Sequence, residues 1–289
     1  MKNKKIAVAS GKGGVGKSML SSALCCRLAQ HGKLIAADCD VDAPDLGIWL
    51  GLDKIDLNIP ISASSKAFVD LEKCKGCGKC EEVCNFNAIR RGADGKPEII
   101  PYLCEACGAC EEFCPEGAIK LRPVNNGRMG WTTTRFGFDL LTGQLLPGET
   151  CSGKIIAEMK KQLDENHDYD YLLLDSAAGV GCPTVSAITG VDFVVMITEP
   201  TPSGFSDLKR LDEIIGHFGI GSCVIINKWD LNKELSKEIE DWAGGRMAGK
   251  ISFDRGVFKA LASMTPILES DAKAARELEG ILSVIEGLI

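Results

Sequence analysis

The residues of this chain whose types and spacing could do chemistry fall into two sets. The first is the run Ser10-Gly11-Lys12-Gly13-Gly14-Val15-Gly16-Lys17-Ser18, which holds a G-x-x-x-x-G-K-S spacing. Glycines in such a loop let successive backbone N–H groups converge on phosphate oxygens, the lysine adds a full charge, and the serine hydroxyl can ligate Mg²⁺. Gly11, Gly13, Gly14, Val15, Gly16, Lys17, Ser18 and the adjoining Met19 are therefore assigned to a nucleotide phosphate site. The apolar run Ile6-Ala7-Val8-Ala9 before the loop and a helical pattern after it supply the strand and the helix start that such a site needs. Lys12 is a second lysine that phosphate binding alone does not require.

The second set is cysteine. Eight of the 14 cysteines fall in two runs, Cys74, Cys77, Cys80, Cys84 and Cys104, Cys107, Cys110, Cys114, each reading C-x₂-C-x₂-C-x₃-C. Soft thiolate suits iron–sulfur clusters, and in this spacing the fourth cysteine of each run ligates the other run's cluster. The pattern predicts one 4Fe–4S cluster on Cys74, Cys77, Cys80 and Cys114, and a second on Cys84, Cys104, Cys107 and Cys110. Two structural zinc sites would also use eight thiolates, but the doubled four-cysteine run is the iron–sulfur signature. Pro115 follows the last cysteine of the second run, whereas Asn85 stands there in the first. So little of this segment is apolar that its folding is expected to be coupled to metal binding.

Acids supply the remaining candidates. Leu172-Leu173-Leu174-Asp175 reads as a buried strand ending in an acid, the Walker B pattern, which would face Asp175 toward the Mg²⁺ shell. Asp40 and Asp42 close the apolar run that begins at Leu34 and lie on the same edge; capping of strand ends is the alternative role for such charges. His31, His167 and His217 show no ligand spacing.

These groups need a sheet to position them. Continuous apolar runs at 6–9, 34–37, 171–174, 192–198, 223–226 and 249–253 read as strands buried on both faces of a mainly parallel sheet. Helical patterns at 152–165, 203–217, 233–242 and 272–288 separate the later ones. The fold class is therefore α/β, a doubly wound, mainly parallel sheet. Between about residues 66 and 122 the composition changes to cysteine, glycine and charge, and a Gly/Thr-rich piece from Pro123 to Pro147 reads as irregular. The expected organisation is an ATPase domain over 1–65 and 123–289, interrupted by a bacterial-type ferredoxin domain over 66–122. A net charge of −7 without a basic block leaves no footprint for nucleic acid. No signal sequence or membrane span is legible, and the acidic C-terminal helix reads as core-packed, not as a membrane anchor, so the expected location is cytoplasmic.

On the phosphate loop with its Lys12, the acids at 38–42, the stretch 175–179, Thr198-Glu199-Pro200-Thr201-Pro202-Ser203-Gly204 and the eight cysteines, the chain resembles the MinD/Mrp superfamily of P-loop ATPases carrying an inserted two-cluster ferredoxin domain. The likeness runs over essentially the full length. It implies a homodimer in which Lys12 reaches the partner's nucleotide, ATP/ADP with Mg²⁺ on Ser18 near Asp175, Asp40 orienting the attacking water, and Asn227 bonding adenine. Cys151 and Cys182 are similar in context to the cysteines by which the nitrogenase iron protein shares a 4Fe–4S cluster between subunits, which implies a third, dimer-bridging cluster.

Three functions follow from these expectations. The first is an ATP-hydrolysing iron–sulfur protein that couples nucleotide state to electron transfer toward an unidentified redox or iron–sulfur acceptor protein. The second is a cluster or metallocofactor assembly ATPase of the Mrp type. The third is a MinD-like positioning ATPase.

Overall fold

The computed structural model describes residues 3–166 and 168–289; His167 lies outside the described residues. In chain order the elements are β1 (Lys4–Ser10), α1 (Lys17–Leu28), β2 (Leu34–Asp38), α2 (Leu46–Trp49), β3 (Ile59–Ile61), β4 (Ser64–Val69), α3 (Lys79–Glu82), β5 (Ile89–Arg91), β6 (Pro97–Ile99), α4 (Ala109–Glu112), β7 (Ile119–Val124), β8 (Gly127–Thr133), β9 (Asp139–Leu145) and α5 (Ser152–Asn166). There follow β10 (Tyr171–Ala178), α6 (Cys182–Ile188), β11 (Phe193–Thr198), α7 (Pro202–His217), β12 (Gly221–Asn227), α8 (Lys233–Ala243), β13 (Met247–Ile251), α9 (Arg255–Ala262) and α10 (Lys273–Leu288).

Among the described residues nine strands form one sheet in the order β13-β12-β11-β1-β10-β2-β9-β8-β3. The run from β13 to β9 is parallel, and β8 and β3 continue it as an antiparallel edge. Adjacent residues of β1 feed opposite layers. Ile6 and Val8 pack with α1, α2 and α10, while Ala7 and Ala9 pack with α5, α6, α7 and α8. Both faces are covered, which is why these strands are apolar without alternation. One stripe of α10, including Leu278, Ile281, Leu282 and Ile285, is buried in the first of these layers. No helix among the described residues is long and apolar enough to cross a membrane.

The piece at 123–147 is not irregular, and the sequence reading is corrected there: β8 and β9 belong to the main sheet, with β9 running parallel beside β2. Its glycines mark close packing. A Cβ on Gly130 would collide with the carbonyl of Asp56, and one on Gly143 with Met159. The cysteine-bearing residues hang between β4 and β7, which pair antiparallel from Ser64↔Val124 to Val69↔Ile119. Their apolar cluster is small: Ala67, Ala88, Ile89 and Ile119 with three of the cysteines.

Candidate functional site

The phosphate loop leaves β1 at Ser10 and enters α1 at Lys17 on the C-terminal edge of the sheet, where parallel strands leave a crevice. Gly14 and Gly16 take left-handed φ angles of 76° and 94°, which turns the backbone over that crevice. A cavity of about 270 Å³ sits there. Its floor includes Gly13, Gly14, Gly16, Lys17, Ser18 and Met19; Asp40 and Asp45 stand on one side, Asn227 and Lys228 on another. Trp49, Val257, Phe258 and Leu261 make one part of the wall apolar.

Lys17 is the electrostatic centre. Its ammonium lies 3.0 Å from Asp175 and 3.8 Å from Asp40. Burial opposes its charge, but Asp175 and then Asp38 and Asp40 outweigh that and leave its pKa above the ordinary value. Asp175 is wholly buried just behind Lys17; one oxygen accepts from the Ser21 hydroxyl at 2.6 Å, and the other makes no hydrogen bond beyond the ion pair with Lys17. Burial raises the pKa of Asp40 against the pull of Lys17. Burial likewise raises Asp45, against the Ser18 hydroxyl beside it, and Asp45 Oδ1 is buried with no hydrogen-bond partner. A carboxylate oxygen left without a donor beside Ser18 is the signature of a site built for a cation, so the residues fit Mg²⁺.

The other expected residues are placed unevenly. Asp42 is exposed and does not line the cavity. Asp38 is an internal brace, accepting from the backbone N–H of Asp40 and of Leu46, and burial pushes its carboxyl well above the usual range. Asn227 lines the cavity, yet its amide nitrogen donates to Val15 O at 2.8 Å and its oxygen accepts from Lys228 N, so it braces the loop from outside. Lys12 donates to Glu199 at 3.0 Å, and Lys228 bonds the same carboxylate at 3.2 Å. Partial burial opposes the charge of Glu199, and the two lysines overcome it, holding the carboxyl below its ordinary value. In this state Lys12 is therefore tied within its own chain. Asp45, Glu199 as a latch, and the apolar wall from α9 went unassigned in the sequence; the only available signal was their position one strand-end or one loop from a recognised motif.

The cysteines gather by crossed sets. One cavity is lined by Cys74, Cys77, Cys80 and Cys114, and another by Cys84, Cys104, Cys107 and Cys110. Backbone N–H groups donate to sulfur at each: Ala118 to Cys114 at 3.3 Å, Ala88 to Cys84 at 3.3 Å and Ala67 to Cys104 at 3.4 Å. Among the described residues no three such side chains stand close enough to share a single metal ion. Four soft thiolates at each cavity are the donor type that iron–sulfur clusters take. Cys151 and Cys182 meet on a separate open hollow, with Gly153 between them; a Cβ there would lie 3.4 Å from Cys182 Cβ. Cys182 follows the loop after β10, whose Gly179 N–H bonds Ser10 O at 2.9 Å, so that loop joins the phosphate loop to Cys182.

Residues 6–267 match the model of the CobQ/CobB/MinD/ParA nucleotide-binding domain. A protein of Methanocaldococcus jannaschii is 33% identical over 286 residues, 99% of this chain and 97% of the relative. A second protein of that organism, described as ATP-binding, is 27% identical over 285 residues, 97% of each chain. Among solved structures, the septum site-determining protein MinD of Pyrococcus horikoshii, complexed with Mg-ADP, superposes with a TM-score of 0.63 at 17% identity, over 99% of this chain and 97% of that one.

Proposed function

The chain belongs to the CobQ/CobB/MinD/ParA nucleotide-binding family, and from that premise we propose that it is a Mg²⁺-dependent ATPase switch coupled to two 4Fe–4S clusters held between β4 and β7. The observation that carries the iron–sulfur part is the crossed sorting of eight cysteines into two four-thiol cavities. The nucleotide part rests on the family and on the cavity around Lys17.

The backbone of residues 13–17 and the Lys17 ammonium bind the phosphates, while Ser18 and Asp45, with Asp175 behind, would hold Mg²⁺, which would shield the phosphate charge. Asp40 orients the attacking water. Val257, Phe258 and Leu261 cover the base. Glu199 releases Lys12, which then reaches the nucleotide of a second copy. Loss of the γ-phosphate relaxes the loops after β2 and β10, and the second leads to Cys182. The four thiolates at each cavity would hold a cluster, which would supply one-electron chemistry there. A bridging cluster on Cys151 and Cys182 of two copies is a separate proposal that would raise the iron to about ten atoms per chain; its support is that both thiols open on one hollow.

Positioning in the manner of MinD is the second reading, and the comparisons favour it at least as well, since the MinD of Pyrococcus horikoshii is a septum site-determining protein. Two measurements on anaerobically purified protein separate the readings: iron per chain, and ATP-dependent binding to vesicles. About eight iron atoms per chain without vesicle binding supports the cluster-coupled switch. An iron-free protein that hydrolyses ATP and binds vesicles would overturn it in favour of positioning.

A further inference from the structure

Lys66 has no role in anything described above, yet it is 2% exposed. It lies on β4 beside the cavity of Cys84, Cys104, Cys107 and Cys110. Its ammonium donates to Cys104 O at 3.1 Å and lies 3.2 Å from Glu149 Oε2. The next residue, Ala67, sends its N–H to Cys104 Sγ. A buried lysine is costly and is retained where its charge is used. Here it stands against the backbone of one cluster ligand. The wall of the other cavity carries Lys75, Lys79 and Glu116, all exposed, so water and salt screen them. Among the described residues Lys66 is the one buried cation of this region.

Resting on the cluster reading above, we propose that Lys66 is the positioning residue that tunes the reduction potential of the cluster on Cys84, Cys104, Cys107 and Cys110, with Glu149 as its adjustable counter-charge. Reduction adds one negative charge to a cluster already surrounded by four thiolates, and a fixed cation nearby favours that form. Glu149 offsets part of the cation. It precedes Thr150 and Cys151, and the same loop is pinned by Asn126, which is wholly buried, donates to Thr150 O at 2.8 Å and accepts from Ala63 N at 2.8 Å. Movement of the Cys151 loop would therefore change how much of the Lys66 charge the cluster feels. Cys151 itself holds φ at 76°, a strained value for a residue other than glycine.

The test is a dithionite titration of the full-length, iron-loaded protein followed by EPR, with dithionite supplying one electron per cluster. Lys66→Met should move one of two reduction waves to lower potential and leave the other in place. Glu149→Gln should move the same wave the opposite way, and Lys66→Arg should restore it. A residue that merely supports the fold would not give opposite shifts on one wave. If both waves stay put in iron-replete Lys66→Met and Glu149→Gln, or if both waves move together, the proposal is wrong. Should Lys66→Met fail to load iron, Glu149→Gln decides alone: an upward shift of one wave supports the tuning role and no shift refutes it. Wild-type protein that binds no iron would instead refute the cluster reading itself.

Discussion

Around the phosphate loop, charge is held by a sheet with an apolar layer on each face, and Lys17 at 6% exposure and Asp175 at 0% are fixed before any ligand arrives. Around the cysteines, two short ribbons and two one-turn helices enclose little apolar material beyond Ala67, Ala88, Ile89 and Ile119. The first region is organised by the protein's own core. The second has its thiols brought together by turns, and its core is the cavity a cluster would fill. If the cysteine region holds the clusters proposed above, a site that relies on preorganisation and a site that relies on a cofactor should fail differently.

The largest expected contrast is in folding. Removing iron with a chelator should make residues 64–124 susceptible to proteolysis while the remaining sheet resists it. Equal resistance with and without iron would break the comparison. Next in size is catalysis. Lys17→Ala should lower ATP turnover at least about a hundredfold, as loss of a charge aimed at a developing anion does, with iron content unchanged. Parallel loss of iron would mean that the two regions fold as one. Third is the crossing of ligands. Cys114→Ser should perturb the EPR signal of the cluster shared with Cys74, Cys77 and Cys80, although Cys114 lies in the other run.

A smaller effect concerns the buried thiols. Burial pushes the pKa of Cys26 to about 12 and that of Cys223 to about 12, so their reactive thiolate is scarce until the pH rises toward that value. Iodoacetamide at pH 8 should leave both unmodified while it labels the exposed Cys182 of cluster-free protein; mass spectrometry reads the result. The smallest effect is at the latch. Glu199→Gln should strengthen ATP-dependent dimerisation a few-fold by freeing Lys12, as seen in sedimentation, whereas weaker dimerisation would show that Glu199 supports Lys12 and does not restrain it.

Much of this was legible from residue order. The phosphate loop, the parallel strands and the doubled cysteine run each depend on local spacing, which a sequence displays directly. The hairpin of β8 and β9 was not, because Gly130 and Gly143 resemble loop glycines until Asp56 and Met159 are seen pressing on them. Asp45 was missed and Asp42 assigned because the sequence shows only that acids follow β2; which of them turns toward Ser18 depends on how Asp38 pins the backbone at Asp40 and Leu46. Glu199 lies in a recognised stretch, but its partners Lys12 and Lys228 are distant in sequence and meet only across the sheet edge. Long-range pairings of this kind have no periodicity to read.

Coupling between the two regions would be read most directly in the cluster potentials. Anaerobic protein with its full iron complement would be titrated with dithionite in the absence of nucleotide, with MgADP and with a MgATP analogue that is not hydrolysed. The ATP analogue should shift at least one reduction wave relative to MgADP. Two waves that stay in place across all three states, in protein that binds and hydrolyses ATP, would contradict it.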